Sequence, residues 1–436
     1  MEKKNRRDFF KMAGVGVLGT LATLFQRHKV YADVPAGVPK GPIKLGIIAF
    51  RAGVAGIVGE AGIRAAQIWA EQVNKTGGIL GRKVELLIEE EKGAKVTVEK
   101  FKKLSIKEKC DAIFGLISTG NGQAVGREAE KIKQLWFSWD GTTQKGLIET
   151  LHNPKYAFRS VENEMEAVAG AVSTVRLWPN IKKIAGINND YSYGRNCWAA
   201  YKRVVSFYLP HVEFAEGIFT KLGETDFSAT ADALMARKPD VIMSSFFSGD
   251  NPIILKQLHA KGAWKTIKPC FTTAGYVQDT LKKSFVPEGM IMGYNALYSR
   301  YTDAWPLLNE FAKIYTERYK EVVAPECDHA YFTLAAYKAA VEKCYAFLKK
   351  WPSKEQIAEL SKGLSVPSLS GYRSWREDNK MQCNWFMGVT THNNPFDYVT
   401  VDPIHIIPSV EIQKPVGYTF DQFMEAWGKA VKAKQT

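Results

Sequence analysis

No metal-binding or catalytic constellation is written into this chain. Its seven histidines make no HExxH or HxH pair, none stands beside a serine in a GxSxG elbow, and no nucleophile is accompanied by a base. The six cysteines, Cys110, Cys197, Cys270, Cys327, Cys344 and Cys383, lack CxxC or other metal spacing and leave disulfide pairing open. No apolar run reaches the roughly 20 residues of a membrane span. Nor is there a Lys/Arg block with interleaved aromatics, a short repeat, or a low-complexity tract. The formal charge of +14 therefore does not point to nucleic acid. Residues 1–32 hold seven Lys/Arg and two acids. The remaining excess is spread along the chain, which favours attraction of small anions.

What is present begins with an address. Asn5-Arg6-Arg7-Asp8-Phe9-Phe10-Lys11 precedes a mild apolar segment over 12–25, and Val30-Tyr31-Ala32 supplies small residues for a signal peptidase. Residues 1–32 read as a signal peptide, cleaved after about Ala32, whose paired arginines resemble the twin-arginine export motif. The GxGxxG at Gly14 to Gly19 follows no strand and is set aside. A Pro/Gly linker spans 33–42.

Of the 436 residues, 46% are hydrophobic and 24% charged, enough for two lobes with separate cores. Buried strands are expected at 43–50, 83–89, 112–117 and 135–139. A loop over 51–60 leads into a helix through Asn74, and a second helix runs over 95–108. The pattern restarts with strands at 183–188, 212–219, 241–246 and 269–273, separated by helices over 193–209, 227–236 and 252–261. Strands alternating with helices call for parallel sheets with ligands beyond the strand carboxyl ends. Segments 157–161 and 290–297 are candidate crossings between lobes. Helices follow at 304–319 and 329–349, the second with Asp328 as its expected N-cap. Residues 371–405 alternate like antiparallel strands with a turn at Asn379-Lys380, and 420–432 form an amphipathic terminal helix.

The chain is organised around 112–133, a buried strand, then small and hydroxylated residues, then a helix. Backbone N–H groups and the hydroxyls of Ser118 and Thr119 there could hold a carboxylate or phosphate, or the stretch is an ordinary turn. Other strand ends carry Arg51, Trp139-Asp140-Gly141-Thr142-Thr143, Asn189 to Gly194, Phe247 to Asp250, and Gly275-Tyr276. Five strand ends thus converge on one cleft rich in aromatics and hydroxyls. A rival reading takes Gly120-Asn121-Gly122 through Gly126, with Asp140, as the dinucleotide site of an exported nicotinamide-dependent oxidoreductase. Its GxGxxxG is one residue too long and lies on the third strand.

Gly62-Ile63-Arg64-Ala65-Ala66 and the run from Asn74 to Leu86, followed by Ile113-Phe114-Gly115, resemble a known family. Asn189 to Gly194 and Asp226-Phe227-Ser228 are further marks. The likeness, over about 43–410, is to type I periplasmic solute-binding proteins of branched-chain amino acid (leucine/isoleucine/valine) type ABC importers. It implies two Rossmann-like lobes with parallel central sheets and a multi-strand hinge. Residues 43–158 and 298–368 would form lobe 1, 159–297 and 369–410 lobe 2, and 411–436 a C-terminal helical extension.

By resemblance, the carboxylate-binding loop falls on Thr119 and Gly120, and a second contact segment on Gly141, Thr142 and Thr143. Tyr193 and Phe247 match aromatic contacts. The acid that holds an amino acid's ammonium falls on Gly275, beside Tyr276, with Asp140 or Asp250 as possible substitutes. Arg51 and Trp139 complete the expected contacts. The expectation is an exported, monomeric binding protein without catalysis, cofactor or metal. It would deliver a small carboxylate, aromatic or apolar in preference to zwitterionic, to an inner-membrane permease. An amino acid or amide binder and a periplasmic ligand sensor are the alternatives on the same fold.

Overall fold

The computed structural model describes residues 34–140, 143, 150–151, 153–161, 164–296 and 303–435. The expected leader, Gly141 and Thr142 lie outside them.

The first lobe forms around β1 (Ile43–Ala49), whose residues beyond Lys44 are apolar and buried on both faces because helices cover both sides. It pairs in parallel with β2 (Val84–Glu90) and β3 (Ala112–Gly115), placing Ile47 opposite both Ile88 and Phe114. With β4 (Trp136–Ser138) and β5 (Ala157–Arg159) the order is β2-β1-β3-β4-β5. The linking helices are α1 (Gly56–Lys75), α2 (Ala94–Lys102) and α3 (Thr119–Ile132). Helix α1 starts inside the loop expected over 51–60. Gly59 explains how: a Cβ there would sit 2.0 Å from the Phe50 carbonyl, so only glycine lets the helix settle on the end of β1.

From β5 the chain enters α4 (Glu164–Leu177) and a second sheet. Its strands are β6 (Lys183–Asn189), β7 (Glu213–Phe214), β8 (Ile218–Thr220), β9 (Val241–Ser244), β10 (Lys268–Phe271) and β11 (Ile291–Tyr294). The order is β16 (Thr400–Ile407)-β15 (Trp385–Thr391)-β11-β10-β9-β6-β7, with β8 also on β6. The single strand expected over 212–219 is divided into β7 and β8 around Gly217, which lies against the Trp198 ring. Helices α5 (Ser192–Tyr208), α6 (Ser228–Ala236) and α7 (Asp250–Ala260) complete this α/β unit.

The chain then returns to the first lobe with α8 (Pro306–Tyr319), α9 (Pro325–Leu348) and α10 (Lys354–Ser361). A small antiparallel sheet of β12 (Ser365–Ser368), β13 (Gly371–Trp375) and β14 (Met381–Gln382) follows. Trp375, Met381 and Cys383 belong to the first core, so the change of lobe comes near 384 and not at the expected 369. Stacked Phe114–Phe137 and Phe137–Phe158 pairs, centroids 5.2 and 4.9 Å apart, continue to Trp375. Strands β15 (Trp385–Thr391) and β16 (Thr400–Ile407) close the second sheet antiparallel. After the short helix α11 (Ser409–Ile412), α12 (Phe420–Gln435) packs on α5 through Trp427 Nε1–H to the Tyr208 hydroxyl (3.0 Å). All six cysteines are buried.

Asp328 does not cap α9. The helix begins three residues earlier at Pro325, whose fixed φ suits a first turn, and Asp328 instead meets Arg373 at 2.6 Å.

Candidate functional site

Both sheets point their carboxyl ends at the space where the lobes meet. Gly115 (φ +104°) turns the chain off β3, where a Cβ would be 2.1 Å from the Ile48 carbonyl. Ile117 to Thr119 are thereby aimed at the second lobe. Ile117, with Ala55 and Val58 at the start of α1, shares one buried cluster with Tyr193, Phe247 and Tyr276 across the interface. Two further contacts join the lobes: Asn196 Nδ2 donates to Thr143 Oγ1 (3.0 Å), and the Ser248 hydroxyl donates to the Val54 carbonyl.

On the first lobe, Thr119 opens α3 and is 1% exposed, with its Oγ1 buried and without a partner. Gly120 is exposed beside it. Glu91, just past β2, occupies much of this helix terminus. Its carboxyl accepts the N–H groups of Ile117 (2.8 Å) and Ser118 (3.0 Å) and the side-chain amide of Asn121 (2.8 Å). Burial pushes Glu91 up to about 7 despite those donors.

On the second lobe, the Tyr193, Phe247 and Tyr276 rings form a contiguous face, with Phe247 6.5 Å from Tyr193 and 5.5 Å from Tyr276. Behind it lies Glu166 in the first turn of α4. It accepts hydrogen bonds from the hydroxyls of Tyr193 (3.2 Å) and Tyr276 (2.9 Å). Burial first, and then Asp140, raise its pKa well above the ordinary carboxylate range. Glu326, in the first turn of α9, is likewise raised by burial and by Asp140, Glu91 and Glu166. One of its oxygens shares a hydrogen bond with His329 Nδ1 (3.1 Å), and Oε1 has no partner.

Several expected contacts are therefore together: Thr119, Gly120, Thr143, Tyr193, Phe247 and Tyr276 all border the meeting of the lobes. Two are placed otherwise. Trp139 is fully buried in the first core, its Nε1–H donating to Thr333 (3.1 Å) and its ring laid on Gly62, so it is a packing residue. Arg51 keeps half its side chain in solvent and pairs with Glu60 at 2.7 Å, because its loop ends at the rim. Gly275 is enclosed by the Gly293 carbonyl and the Tyr294 ring, each 2.5 Å from where a Cβ would stand, so no acid fits there. Asp250 serves its own lobe, accepting from Asn189 (2.9 Å) and from the Gly223 N–H.

Glu91, Glu166 and Glu326 were missed by sequence reasoning. A signal existed for Glu166, since Glu164-Met165-Glu166 sets two acids into the apolar run Ala167 to Val172. The preference for plain carboxylates rested on Gly275 standing where an amino acid binder has its acid, together with the aromatics at the strand ends. The structure adds Glu166 and Glu326 as buried carboxyls from helix first turns.

Two α/β lobes joined by several crossings, with their strand ends facing a common cleft, define a two-lobed binding protein. The periplasmic binding protein family model matches residues 42–393, and the chain belongs to that family. It is 23% identical over 326 residues to the Leu/Ile/Val-binding protein homolog 7 of Brucella suis, covering 69% of this chain and 76% of that one. Among solved structures, a solute-binding protein of an ABC transporter from Rhodopseudomonas palustris, in complex with 3,4-dihydroxybenzoic acid, superposes with TM-score 0.75 at 16% identity, covering 85% of this chain and 99% of that one. A leucine-binding protein from Thermotoga maritima gives 0.70 at 17%, with 85% and 99% covered.

Proposed function

We propose that the chain is the receptor of an ABC importer that closes its lobes over one small organic solute and hands it to an inner-membrane permease. The supporting observation is the enclosure of Ile117, Ala55 and Val58 with Tyr193, Phe247 and Tyr276 in one buried cluster at the facing strand ends. Thr119, Gly120 and the 141–143 segment would contact the solute from the first lobe, and the three rings from the second. Hinge closure converts those faces into a desolvated pocket, so a ligand that touches both shifts the population toward the closed form. The twin-arginine type leader over 1–32, cleaved after about Ala32, would deliver the mature monomer to the periplasm.

Relatives bind different solutes: the Rhodopseudomonas protein holds 3,4-dihydroxybenzoic acid, and the Thermotoga protein is named for leucine. The test is small-angle scattering and thermal melting of the mature protein with benzoate, isoleucine and phenethylammonium as probes. A ligand should reduce the radius of gyration and raise the melting temperature together. A protein that neither compacts nor stabilises with any probe would contradict the receptor reading.

A further inference from the structure

The two tyrosines of the aromatic face share one carboxyl. Tyr193 opens α5 and Tyr276 lies in the helical turn Ala274–Thr280 that follows β10, so the rings come from separate elements. Their hydroxyls nevertheless converge on the two oxygens of Glu166, Tyr193 donating to Oε2 (3.2 Å) and Tyr276 to Oε1 (2.9 Å). Each hydroxyl has a second partner on the same lobe. Asn295 Nδ2 donates to the Tyr276 hydroxyl, and the Thr273 side chain meets that of Tyr193. Asn295 is held in turn, its carbonyl accepting from Arg373 of β13 (2.6 Å). Glu166, Asn295 and Thr273 are no more than 2% exposed, so water has no share in these contacts.

A hydroxyl carries a single proton. With that proton committed to Glu166, the polar tip of each tyrosine is used inside the second lobe, and what remains for the first lobe is ring carbon. Phe247 fills the space between the two rings, 6.5 Å from Tyr193 and 5.5 Å from Tyr276. The wall opposite is apolar as well. Ala55, Val58 and Ile117 share the buried cluster with the three rings, and none of them has a polar side-chain atom. This compartment therefore has carbon walls on both lobes, although two of its three rings are tyrosines.

Resting on the receptor reading above, we propose that Glu166 is a specificity-determining residue, supported by Asn295. It draws the Tyr193 and Tyr276 hydroxyls away from the solute, so the second lobe takes an apolar end, aryl or alkyl, and rejects the same solute carrying a hydroxyl there. Such a hydroxyl would give up its water without gaining a partner, because the tyrosine protons are already in use. Without the Glu166 carboxyl the two phenols become free donors and can turn toward the solute. The charge at the solute's other end has no part in this selection.

The test is calorimetry of the mature protein with three pairs of probes, each pair differing by one hydroxyl at the apolar end: benzoate and 4-hydroxybenzoate, valine and threonine, phenethylammonium and tyramine. In any pair that binds, the plain member should be tighter by roughly tenfold or more. Glu166→Gln should hold that ratio, since its amide oxygen accepts from one tyrosine and its amide N–H donates to the other. Glu166→Leu, of similar size and without hydrogen bonds, should bring the ratio toward one. A carboxyl that served packing alone would lower both members equally and leave the ratio where it was. Tyr193→Phe and Tyr276→Phe, made singly, decide the matter should the leucine variant fail to fold: each loosens a ring and should weaken both members alike. A parent that binds the hydroxylated member as tightly as the plain one, a folded Glu166→Leu with an unmoved ratio, or a Phe variant that loses only the hydroxylated member overturns the inference. In each of those cases a solute still binds, so the receptor reading stands. If none of the six probes binds, the receptor reading falls and this inference falls with it.

Discussion

Glu326 and Asp328 sit two residues apart in the same turn of α9, and both are buried, yet the protein treats them in opposite ways. Asp328 has Arg373 at 2.6 Å and accepts from the Ser368 hydroxyl and the Ser370 N–H (3.1 Å). Glu326 has neutral His329, three other carboxyls and an oxygen with no partner. A buried charge is tolerated when the protein supplies its counter-charge and donors, and is costly otherwise. Asp328 therefore belongs to the fold, joining α9 to the β12–β13 sheet. Glu326 is left with an unmet demand inside the protein.

The largest effect should come from breaking the satisfied member. Asp328→Ala leaves Arg373 buried without its carboxylate and should cost on the order of 3 to 5 kcal/mol in denaturant unfolding. Glu326→Gln should change unfolding far less. Equal losses for the two variants would erase the distinction between a matched and an unmatched carboxyl.

Glu91 tests the same contrast through pH. Its folded pKa of about 7 exceeds the ordinary 4.5. The folded state thus holds a proton that the unfolded state has released, and this contribution to stability is present below pH 4.5 and is lost as pH rises toward 7. The shift corresponds to up to about 3 kcal/mol. Replacing Glu91 by Gln should remove that part of the slope between pH 5 and 8, measured as the difference between parent and variant unfolding free energies. Identical slopes would mean that Glu91 titrates normally.

Gly62→Ala asks on which side of the contrast Trp139 lies. An added Cβ would stand 2.6 Å from the indole and 3.2 Å from Glu326 Cγ. Overpacking of this kind costs roughly 1 to 3 kcal/mol of stability. If Trp139 is a packing residue, melting should fall while the relative affinities for different solutes stay in order. A changed order of solute preference with unchanged melting would return Trp139 to the ligand's surface.

The parallel sheets were legible because buried strands such as Ile43–Ala49, Lys44 aside, are apolar on both faces and alternate with helices. The cleft's aromatic side was legible too, since Tyr193, Phe247 and Tyr276 follow strands directly. Its acidic side was not. Glu166 and Glu326 lie in first turns of helices, where an acid ordinarily reads as favourable to the helix dipole. Only tertiary packing reveals that neither faces water. Trp139 was misplaced for a related reason: a strand-end position fixes where the backbone goes, whereas Gly62 on α1 and Thr333 on α9 decide which way the ring turns.

The smallest predicted effect is at Thr119, where affinity and stability should move in opposite directions. Its Oγ1 is buried without a partner, so in the unliganded protein the hydroxyl is a cost. Thr119→Val keeps the branched shape and removes that cost, and the empty protein should melt at the same temperature or slightly higher. With solute bound, the same hydroxyl completes a hydrogen bond, and its loss should weaken binding by about 1 kcal/mol, roughly fivefold by calorimetry. A hydroxyl that served only the fold would give the reverse, lower melting with unchanged affinity, and Thr119 would then leave the proposed contact set.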